Sequence, residues 1–421
     1  MKTFHPKPYL YYKPTDVEWL GDIPRHWKVA RLKGQVANVT DQTSERDPDE
    51  IYIALEHVES WTGKFSDAGD DVSFDSQVKR FQAGDVLFGK LRPYLAKVTS
   101  PGQNGICVGE FLVLRCLSYN LIPGYLEYLL RSKPIIDAID ASTFGAKMPR
   151  ADWNFIGSMR QPILPLSEQT AIVRYLDQTD ERIRRYISSR ERLIELLEEY
   201  RQAVIRHAVT RGLDPDVRLK PSGVEWLGDV PAHWEVRRLK TLCSMKSGDG
   251  ITEMSIEPAG EYPVYGGNGL RGYTSNYTHD GNYVLIGRQG ALCGNVRIAR
   301  GRFWASEHAV VASLSTGYVL EWFAAILDAM NLNQYSIAAA QPGLAVERVL
   351  NLSLPVPSLR EQAHIARYIE RETADIDVAI DRARREIELL GEYRTRLIAD
   401  VVTGKVDVRE TAHSGRTSHK K

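Results

Sequence analysis

A glycine-bounded turn in the second half of the chain carries side chains suited to reading base edges. Gly287-Arg-Gln-Gly290 follows the strand-like run Tyr283-Val-Leu-Ile286. In the major groove of DNA, arginine pairs bidentately with guanine and glutamine pairs bidentately with adenine. Because such a turn can enter a groove, Arg288 and Gln289 are predicted DNA contacts. The alternative is a solvated turn, which is the usual state of surface arginine.

Three further polar segments suggest the same chemistry. Tyr265-Gly-Gly-Asn-Gly-Leu-Arg271 is flexible and polar, and binding residues concentrate on loops held by a rigid scaffold. In the first half, basic residues cluster around a Pro-Tyr turn, and another basic pair follows later. Together these segments add nine predicted DNA contacts, each with a solvated loop as its alternative: Lys79, Arg80, Lys90, Arg92, Tyr94, Lys147, Arg150, Asn268 and Arg271.

Net charge does not favour DNA binding by whole domains. Residues 34–163 contain 13 Lys and Arg against 17 Asp and Glu, and residues 241–355 contain 7 against 9. Non-specific binding to nucleic acid depends on an excess of positive charge. DNA contact therefore requires either acids segregated to another face or partners that supply phosphate affinity.

Catalytic and metal-binding signatures are missing from the sequence. Acid-x-Lys, Asn/Asp-Pro-Pro-aromatic, Gly-Lys-Ser/Thr and His-Glu-x-x-His do not occur. Glu307-His308 after Ser306 fits a strand end better than a catalytic pair. The cysteines lack the close paired spacing of a zinc site, which predicts no metal centre in this chain: Cys107, Cys116, Cys243 and Cys293.

The chain of 421 residues has 43% hydrophobic and 26% charged residues, enough for two or more domains with their own cores. No apolar stretch approaches the roughly 20 residues of a membrane span. The first residues lack the apolar centre of a signal peptide. We therefore expect a cytoplasmic protein without a membrane partner.

Two sequence elements occur twice. The segment Pro14–Trp27, which contains Val-Glu-Trp-Leu-Gly-Asp, recurs as Pro221–Trp234, a shift of 207 positions. Glu168-Gln169 recurs as Glu361-Gln362 with a shift of 193, and further matches follow both pairs. Because the two shifts differ, the segment between the repeated elements is longer in the first half. The sequence thus reads as tail, variable domain and helix, written twice.

A continuous helix is predicted from Ser167 to about Val209, since no Pro or Gly interrupts it. Ser167 is its predicted N-cap and Gly212 its predicted stop. At 1.5 Å per residue, roughly 43 residues span about 65 Å. Its apolar stripe repeats in steps of three, four or seven residues: Ile172, Leu176, Ile183, Ile187, Ile194, Leu197, Val204 and Ala208.

The second copy of this helix is predicted between Ser358, its possible cap, and Gly404. A long stripe is most economically covered by its twin, and two like patches that face each other about a two-fold axis run antiparallel. Each variable domain would then lie at an opposite end, and the chain ends would meet. The alternative is that each helix only buttresses its own domain.

We therefore predict an α+β protein with a pseudo-two-fold internal repeat. Its two mixed αβ domains would be separated by two long antiparallel helices that form a coiled coil. The predicted segments are the first tail at 1–33, the first variable domain at 34–163, the first helix at 164–212, a linker with the second tail at 213–240, the second variable domain at 241–355, the second helix at 356–404 and a flexible end at 405–421.

These motifs resemble the specificity subunits of Type I restriction-modification systems over nearly the whole chain. The likeness lies in Glu-Trp-Leu-Gly-Asp-x-Pro-x-His-Trp before each variable domain and in Pro-Leu-Ser-Glu-Gln and Pro-Ser-Leu-Arg-Glu-Gln at the helix entries. Gly84–Tyr94 and Tyr262–Tyr273 are also similar to target recognition domains of that family.

The resemblance implies that each variable domain reads one half of a split, asymmetric target in double-stranded DNA. It implies two modification (methyltransferase) subunits docked on the repeated parts, with restriction subunits joining through them. S-adenosylmethionine, ATP and magnesium would be held by those partners, so this chain would bind no cofactor and would not be an enzyme. Two alternatives stay open: a coiled-coil scaffold that binds no DNA, and a self-sufficient DNA-modifying enzyme with a cryptic site.

Overall fold

The computed structural model describes residues 7–66, 77–117, 119–143, 148–267, 269–290, 293–336 and 343–412. The chain divides into two compact units. The first unit consists of Met1–Ser189 and Arg385–Lys421, and the second consists of Arg190–Arg384. Both dividing points fall inside long helices, so each unit holds part of both. Among the described helices, none is both long and apolar enough to cross a bilayer.

The two predicted long helices are confirmed. The first long helix is Leu166–Arg211, of 46 residues, and the second long helix is Leu359–Val402, of 44 residues. A glycine follows the end of each long helix, Gly212 after the first and Gly404 after the second. Both have φ of +79°. That left-handed conformation costs glycine little and ends the helical hydrogen bonding.

The beginnings of the two helices differ. Ser358 caps the second long helix as predicted, since its hydroxyl accepts from the Glu361 N–H at 3.4 Å while Glu361 Oε2 accepts from the Ser358 N–H at 3.1 Å. The predicted cap of the first long helix is wrong. Ser167 lies inside the first turn, because the helix already begins at Leu166 and the carbonyl of Pro165 accepts its first backbone hydrogen bonds.

The long helices run antiparallel in the first unit. Asp180 on the first long helix pairs with Arg394 on the second. Further along the first long helix, the Tyr186 hydroxyl donates to Glu386 Oε2 at 3.0 Å. Residue numbers thus rise on one helix while they fall on the other, which confirms the predicted direction.

The second unit shows the same antiparallel pairing. Arg384 Nη2 lies 2.8 Å from Glu198 Oε1, and Arg201 Nε lies 2.8 Å from Asp377 Oδ1. Each helix also packs on a variable domain: Ile172 and Leu176 belong to the core of the first unit, and Ile365 belongs to that of the second. The predicted stripe therefore serves both purposes, pairing and support. It is deeply buried where it meets a domain and half-buried between, at Ile187, Ile194 and Leu197.

The first variable domain contains two four-stranded sheets. Their strand orders are Gln42–Thr43, Val78–Phe81, Gly105–Cys107, Ile51–Ile53 in one and Val36–Val39, Phe111–Cys116, Val86–Gly89, Val98–Thr99 in the other. All pairs are antiparallel except Gly105–Cys107 with Ile51–Ile53. Phe111–Cys116 lies between Val36–Val39 and Val86–Gly89 in the second of these sheets. Short 3₁₀ turns occur at Leu32–Gly34, Leu55–His57, Pro93–Leu95 and Arg409–Ala412.

Helices cover one side of this domain, at Pro123–Leu130, Lys133–Ala141 and Trp153–Ser158. The first two of these helices are separated at Arg131 and Ser132. Ser132 is the N-cap of the second helix, with an extended backbone at ψ of 141°, and Pro134 is accommodated in the first turn, where its N–H would have no helical partner. Within the tail, Tyr12–Lys13 pairs with Ile23–Pro24. The tail is joined to the domain by the pair Lys28–Arg31 with Arg160–Ile163.

The second variable domain is built on one six-stranded sheet. Its order is Cys243–Ser247, Ala309–Leu314, His279–Gly287, Val296–Ala305, Tyr262–Gly266, Gly269–Thr274, and only Tyr262–Gly266 with Val296–Ala305 is parallel. The strand predicted at Tyr283–Ile286 is confirmed. Helices Leu320–Ala329 and Val346–Leu350 pack beside it, with 3₁₀ turns at Leu239–Thr241, Glu253–Ser255 and Leu332–Tyr335. Two further strand pairs are Leu219–Pro221 with Asp229–Pro231 and Glu235–Arg238 with Ser353–Val356.

Each repeated tail ends in a tryptophan whose ring N–H donates to a glutamate of a long helix, a contact that we call the tryptophan clamp. In the first unit, Trp27 Nε1 donates to Glu168 Oε2 at 2.9 Å, and His26 Nε2 lies 2.7 Å from Glu168 Oε1. In the second unit, Trp234 Nε1 donates to Glu361 at 3.1 Å. Both tryptophan side chains are fully buried.

The chain ends meet in the first unit, as the repeat predicts. The Asp407 N–H donates to the Lys7 carbonyl at 2.8 Å. Gly404, at the end of the second long helix, lies against Pro24 and Trp27 of the first tail. In the second unit, Gly212 takes the equivalent place against Trp234.

Candidate nucleic-acid interface

In the first variable domain, the structure brings Lys90, Arg92, Tyr94 and Arg150 together. The loop leaves the strand Val86–Gly89, and backbone bonds join it to the second basic segment. The Arg92 N–H donates to the Pro149 carbonyl at 2.8 Å, and Leu91 forms a bridge with Arg150. Positive φ at Arg92, +52°, gives a tight turn. Arg92 and Tyr94 are exposed there.

The charges on this loop are partly balanced. Arg150 Nη2 lies 3.0 Å from Glu110 Oε1, with about half of the arginine side chain exposed. Within the residues that the structure describes, no carboxylate forms an ion pair with Lys90 or Arg92. A loop with exposed cations and an exposed tyrosine suits contact with phosphates and base faces.

Two predicted contacts lie elsewhere. Lys79 is buried, and its Nζ donates to the Phe111 carbonyl at 2.7 Å. Burial lowers the pKa of Lys79, and neighbouring Lys90 lowers it further. Arg80 on the same strand pairs with Glu50 at 2.7 Å and with Asp47 at 3.3 Å. The structure therefore does not bring Lys79 and Arg80 to the loop surface. Lys147 lies outside the described residues.

In the second variable domain, the two predicted glycine-rich turns are neighbours. A Cβ on Gly267 would lie 3.1 Å from the His308 carbonyl and 3.7 Å from the Gln289 carbonyl. A Cβ on Gly266 would lie 2.6 Å from Arg271 Cδ, so the arginine crosses directly over the glycine. A side chain at Gly267 would press on the His308 backbone, and one at Gly266 would displace Arg271, so glycine suits both positions. Asn268 lies outside the described residues.

The backbone of the Arg288 turn is fixed on both sides. The Arg288 N–H donates to the His308 carbonyl at 2.9 Å, and its carbonyl accepts from the Leu344 N–H at 3.0 Å. Gln289 forms a bridge with Gly343, and its side chain is exposed. The turn at Arg288 and Gln289 is thus held beside the Gly267 turn, and a fixed backbone of this kind is suited to groove contacts.

Arg297 was missed by the sequence reasoning. A Cβ on Gly269 would lie 3.0 Å from its Nε, which places Arg297 beside the Arg271 turn. The signal was available, because three exposed arginines lie along Val296–Ala305. Of the other two, Arg300 pairs with Glu321 and Arg302 pairs with Asp280.

Charge is therefore segregated within the second domain. Arg300 and Arg302 are neutralised by acids, whereas no ion pair holds Arg271, Arg288 or Arg297 among the described residues. Arginines without an ion pair provide the local positive charge that DNA contact requires on a domain with an excess of acids. Glu307 pairs with His308, at 3.3 Å, in the two-residue turn between strands. Among the described residues, no group of three or more His, Cys, Asp or Glu is placed to hold a metal ion.

A groove with the same chemistry occurs once in each unit, at the start of each long helix. The first groove is lined by Ile122, Val173, Arg174 and Asp177. The second groove is lined by the equivalent Val319, Ala366, Arg367 and Glu370, with Ile298 beside them. Each has an apolar floor with an arginine and a carboxylate three residues apart.

Residues 231–388 match the family model described as Type I restriction modification DNA specificity domain. The chain is 46% identical to the Type I restriction enzyme EcoprrI specificity subunit of Escherichia coli over 139 residues, which cover 32% of this chain and 35% of that protein. It is 23% identical to the MjaVIII specificity subunit of Methanocaldococcus jannaschii over 340 residues, 73% of this chain and 76% of that protein.

Among solved structures, the chain is similar to one from work on complex assembly and conformational transition of the type I R-M system. The TM-score is 0.67 at 20% identity, over 90% of this chain and 98% of the other. This likeness confirms the predicted fold.

Proposed function

Because residues 231–388 match the Type I restriction modification DNA specificity domain, we propose that the chain is a specificity subunit of such a system and that it reads a DNA target in two unlike parts, one with each variable domain. The basic loop at Lys90, Arg92, Tyr94 and Arg150 would contact the first part. The turns that carry Arg271, Arg288, Gln289 and Arg297 would contact the second.

One observation carries this proposal: the same frame, which consists of tail, tryptophan clamp and antiparallel helices, holds a different variable domain in each unit. Each unit repeats the tail, the tryptophan clamp and the antiparallel helices, yet one frame carries two four-stranded sheets and the other carries one six-stranded sheet. Equivalent frames with unlike domains are suited to an asymmetric, bipartite site, just as identical subunits of dimeric repressors are suited to palindromes.

Methylation-aware sequencing of a host that expresses this chain with its modification subunit tests the proposal. We expect one split adenine-methylated motif that is lost when the chain is deleted. Lys90→Ala with Arg92→Ala should impair one part of the motif, and Arg288→Ala with Gln289→Ala should impair the other. If both pairs of substitutions affect the same part, the two-reader proposal is wrong.

The chain itself is proposed to be non-catalytic. Methylation would use S-adenosylmethionine held by modification subunits, and ATP and magnesium would act in restriction subunits that join through them. The purified chain alone should then leave DNA unmodified. A shift assay on duplex with and without the modification subunit separates this role from a scaffold that binds no DNA.

The repeated groove is where we propose that the two modification subunits dock. Two sites of equal chemistry suit two copies of one partner, and each groove offers an apolar floor with charges at its rim for orientation. Arg174→Glu and Arg367→Glu should each reduce the partner from two copies to one, and the double variant should bind none.

Native mass spectrometry of the assembled complex measures this stoichiometry. Arg192→Glu is the matched control, because Arg192 lies on the first long helix outside the groove and is mostly exposed. Two bound copies in both single variants would contradict the assignment of the grooves.

A further inference from the structure

A buried network of charges in the first unit links the first variable domain to both long helices. Arg131, only 2% exposed, pairs with Glu127 at 3.1 Å on the helix Pro123–Leu130 and the turn that follows it. The Arg131 guanidinium also lies over the ring of Tyr128, 4.8 Å from its centre. The Tyr128 hydroxyl donates to Asp177 on the first long helix at 2.7 Å.

Arg394 closes the network from the second long helix. It pairs with Asp180 on the first long helix, and the two side chains are 13% and 9% exposed. Its Nη2 also donates to the Thr62 carbonyl in the variable domain at 3.3 Å. From the second long helix, Arg394 therefore contacts two other elements, the first long helix and the turn at Thr62.

Gly63, next to Thr62, lies directly against the buried pair of Arg131 and Glu127. Its φ is +75°, and a Cβ there would lie 1.7 Å from Arg131 Nη1 and 2.3 Å from Glu127 Oε1. The backbone carrying the Arg394 contact is thus pressed against the buried pair. Thr99 fixes the same turn, since its hydroxyl donates to the Gly63 carbonyl at 2.8 Å.

Among the residues of the second unit that the structure describes, there is no equivalent of this network. The units can be aligned on a shared bond, because Gln169 accepts from the Ile122 N–H and Gln362 accepts from the Val319 N–H. On that alignment, the counterparts of Glu127, Tyr128, Arg131 and Asp180 are Ala324, Ala325, Asp328 and Thr373.

Packing in the second unit is mainly apolar, although the Gln202 amide on the first long helix donates to Asp328 Oδ2 at 3.1 Å. Trp322, Phe323, Ile326 and Leu327 of the helix Leu320–Ala329 are fully buried. Arg201, the counterpart of Arg394, pairs instead with Asp377, and half of that carboxylate side chain is exposed.

We propose that Arg394 is a positioning residue for the first variable domain: the charge network it closes sets the orientation in which that domain meets its part of the target. Directional ion pairs and hydrogen bonds fix one orientation, whereas apolar packing tolerates small rotations. Recognition of the first part of the target then depends on Arg394, and recognition of the second part does not. This inference rests on the proposed two-part reading.

The test uses the full chain in complex with its modification subunit. Methylation rates are measured on the intact target and on duplexes altered by one base pair in either part, with the parts assigned by the loop variants described above. The discrimination at each part is the ratio of the rate on intact DNA to the rate on altered DNA. A loss of folded protein lowers all rates together and leaves both ratios unchanged.

Arg394→Met should lower discrimination at the first part by about tenfold and leave the second within about twofold, since a base-pair mismatch is worth factors of this size. Arg394→Lys should retain both ratios, because lysine can still pair with Asp180 and donate to Thr62. Arg201→Met is the matched control and should change neither ratio.

Equal loss at both parts, or lower rates with unchanged ratios, would overturn the proposal. If Arg394→Met does not assemble, Asp180→Asn, which keeps the side-chain size, is measured in the same way and should show the same selective loss. A wild-type complex that methylates no split target contradicts the proposed function itself, before any variant is compared.

Discussion

The same tryptophan clamp has two different environments in the two units. The Glu168 side chain is 7% exposed and also accepts from the Tyr9 hydroxyl at 3.2 Å. Glu361 is 34% exposed and instead accepts from Ser358. Tyr9 precedes the repeated tail motif, so equal sequence motifs acquire unequal surroundings from residues outside the repeat.

Glu361 should contribute stability that is lost in acid. Burial raises its pKa, but hydrogen bonds from His233, Trp234 and Ser358 together outweigh burial and hold the pKa at about 2. Because the unfolded value is about 4.3, this stability is present above that pH and disappears as the pH falls towards 2. Glu361→Gln should lower the free energy of unfolding at pH 7 by about 1–2 kcal/mol, allowing for solvent screening.

Urea unfolding at pH 7, 5 and 3.5 measures the effect. The difference between wild type and Glu361→Gln should shrink between pH 5 and 3.5. Asp375→Asn, an exposed acid on the same helix, serves as the control and should be neutral. A difference independent of pH would show that the clamp does not depend on the carboxylate charge.

The orientation and partners of single side chains were the features that the sequence predicted least well. Residue type predicted the exposed loop of Lys90 and Arg92, but it could not show that Lys79 turns inward. Its partner, the Phe111 carbonyl, lies 32 positions away and is brought close only by sheet pairing. The sequence alone does not distinguish a charged side chain on a short strand that faces solvent from one that faces a buried carbonyl.

Among the elements, the two helix ends make a matched comparison. Gly212 and Gly404 share φ of +79°, so alanine at either position should cost about 1 kcal/mol for the left-handed backbone alone. At Gly404 the new Cβ would also lie 2.4 Å from Pro24 Cδ, whereas at Gly212 the nearest atom is Trp234 Cζ2 at 3.2 Å.

Gly404→Ala should therefore destabilise by about 2–4 kcal/mol, more than Gly212→Ala, because overpacking adds to the backbone strain. Thermal unfolding of the two variants beside wild type provides the measurement. Equal losses would mean that Pro24 and Trp27 move aside without cost.

Long elements were predictable because many residues report on them at once. The stripe of the first long helix gives eight consistent positions, and the repeated glutamate-glutamine pair fixes its second copy. Helix starts depend on one or two residues, which explains the error at Ser167. The sheets were accessible only as isolated strands, since strand order depends on contacts that are distant in sequence.

At the scale of the whole molecule, the first unit is assembled from both ends of the chain. Val408 is fully buried in its core, and the Asp407 N–H bonds to the Lys7 carbonyl. The Arg409 guanidinium lies over the Tyr9 ring, 4.8 Å from its centre. The second unit, Arg190–Arg384, draws on neither end.

Ending the chain after Gly404 should therefore destabilise the first unit alone. Loss of the buried Val408 side chain costs about 1.5–3 kcal/mol, and the bonds of Asp407 and Arg409 add to this. Hydrogen exchange should accelerate in the strand Phe111–Cys116 and stay unchanged in Ala309–Leu314, because local opening follows the stability of each unit. A chain that ends after residue 412 keeps all of these contacts and should exchange like wild type. Equal acceleration in both strands would show that the two units unfold as one.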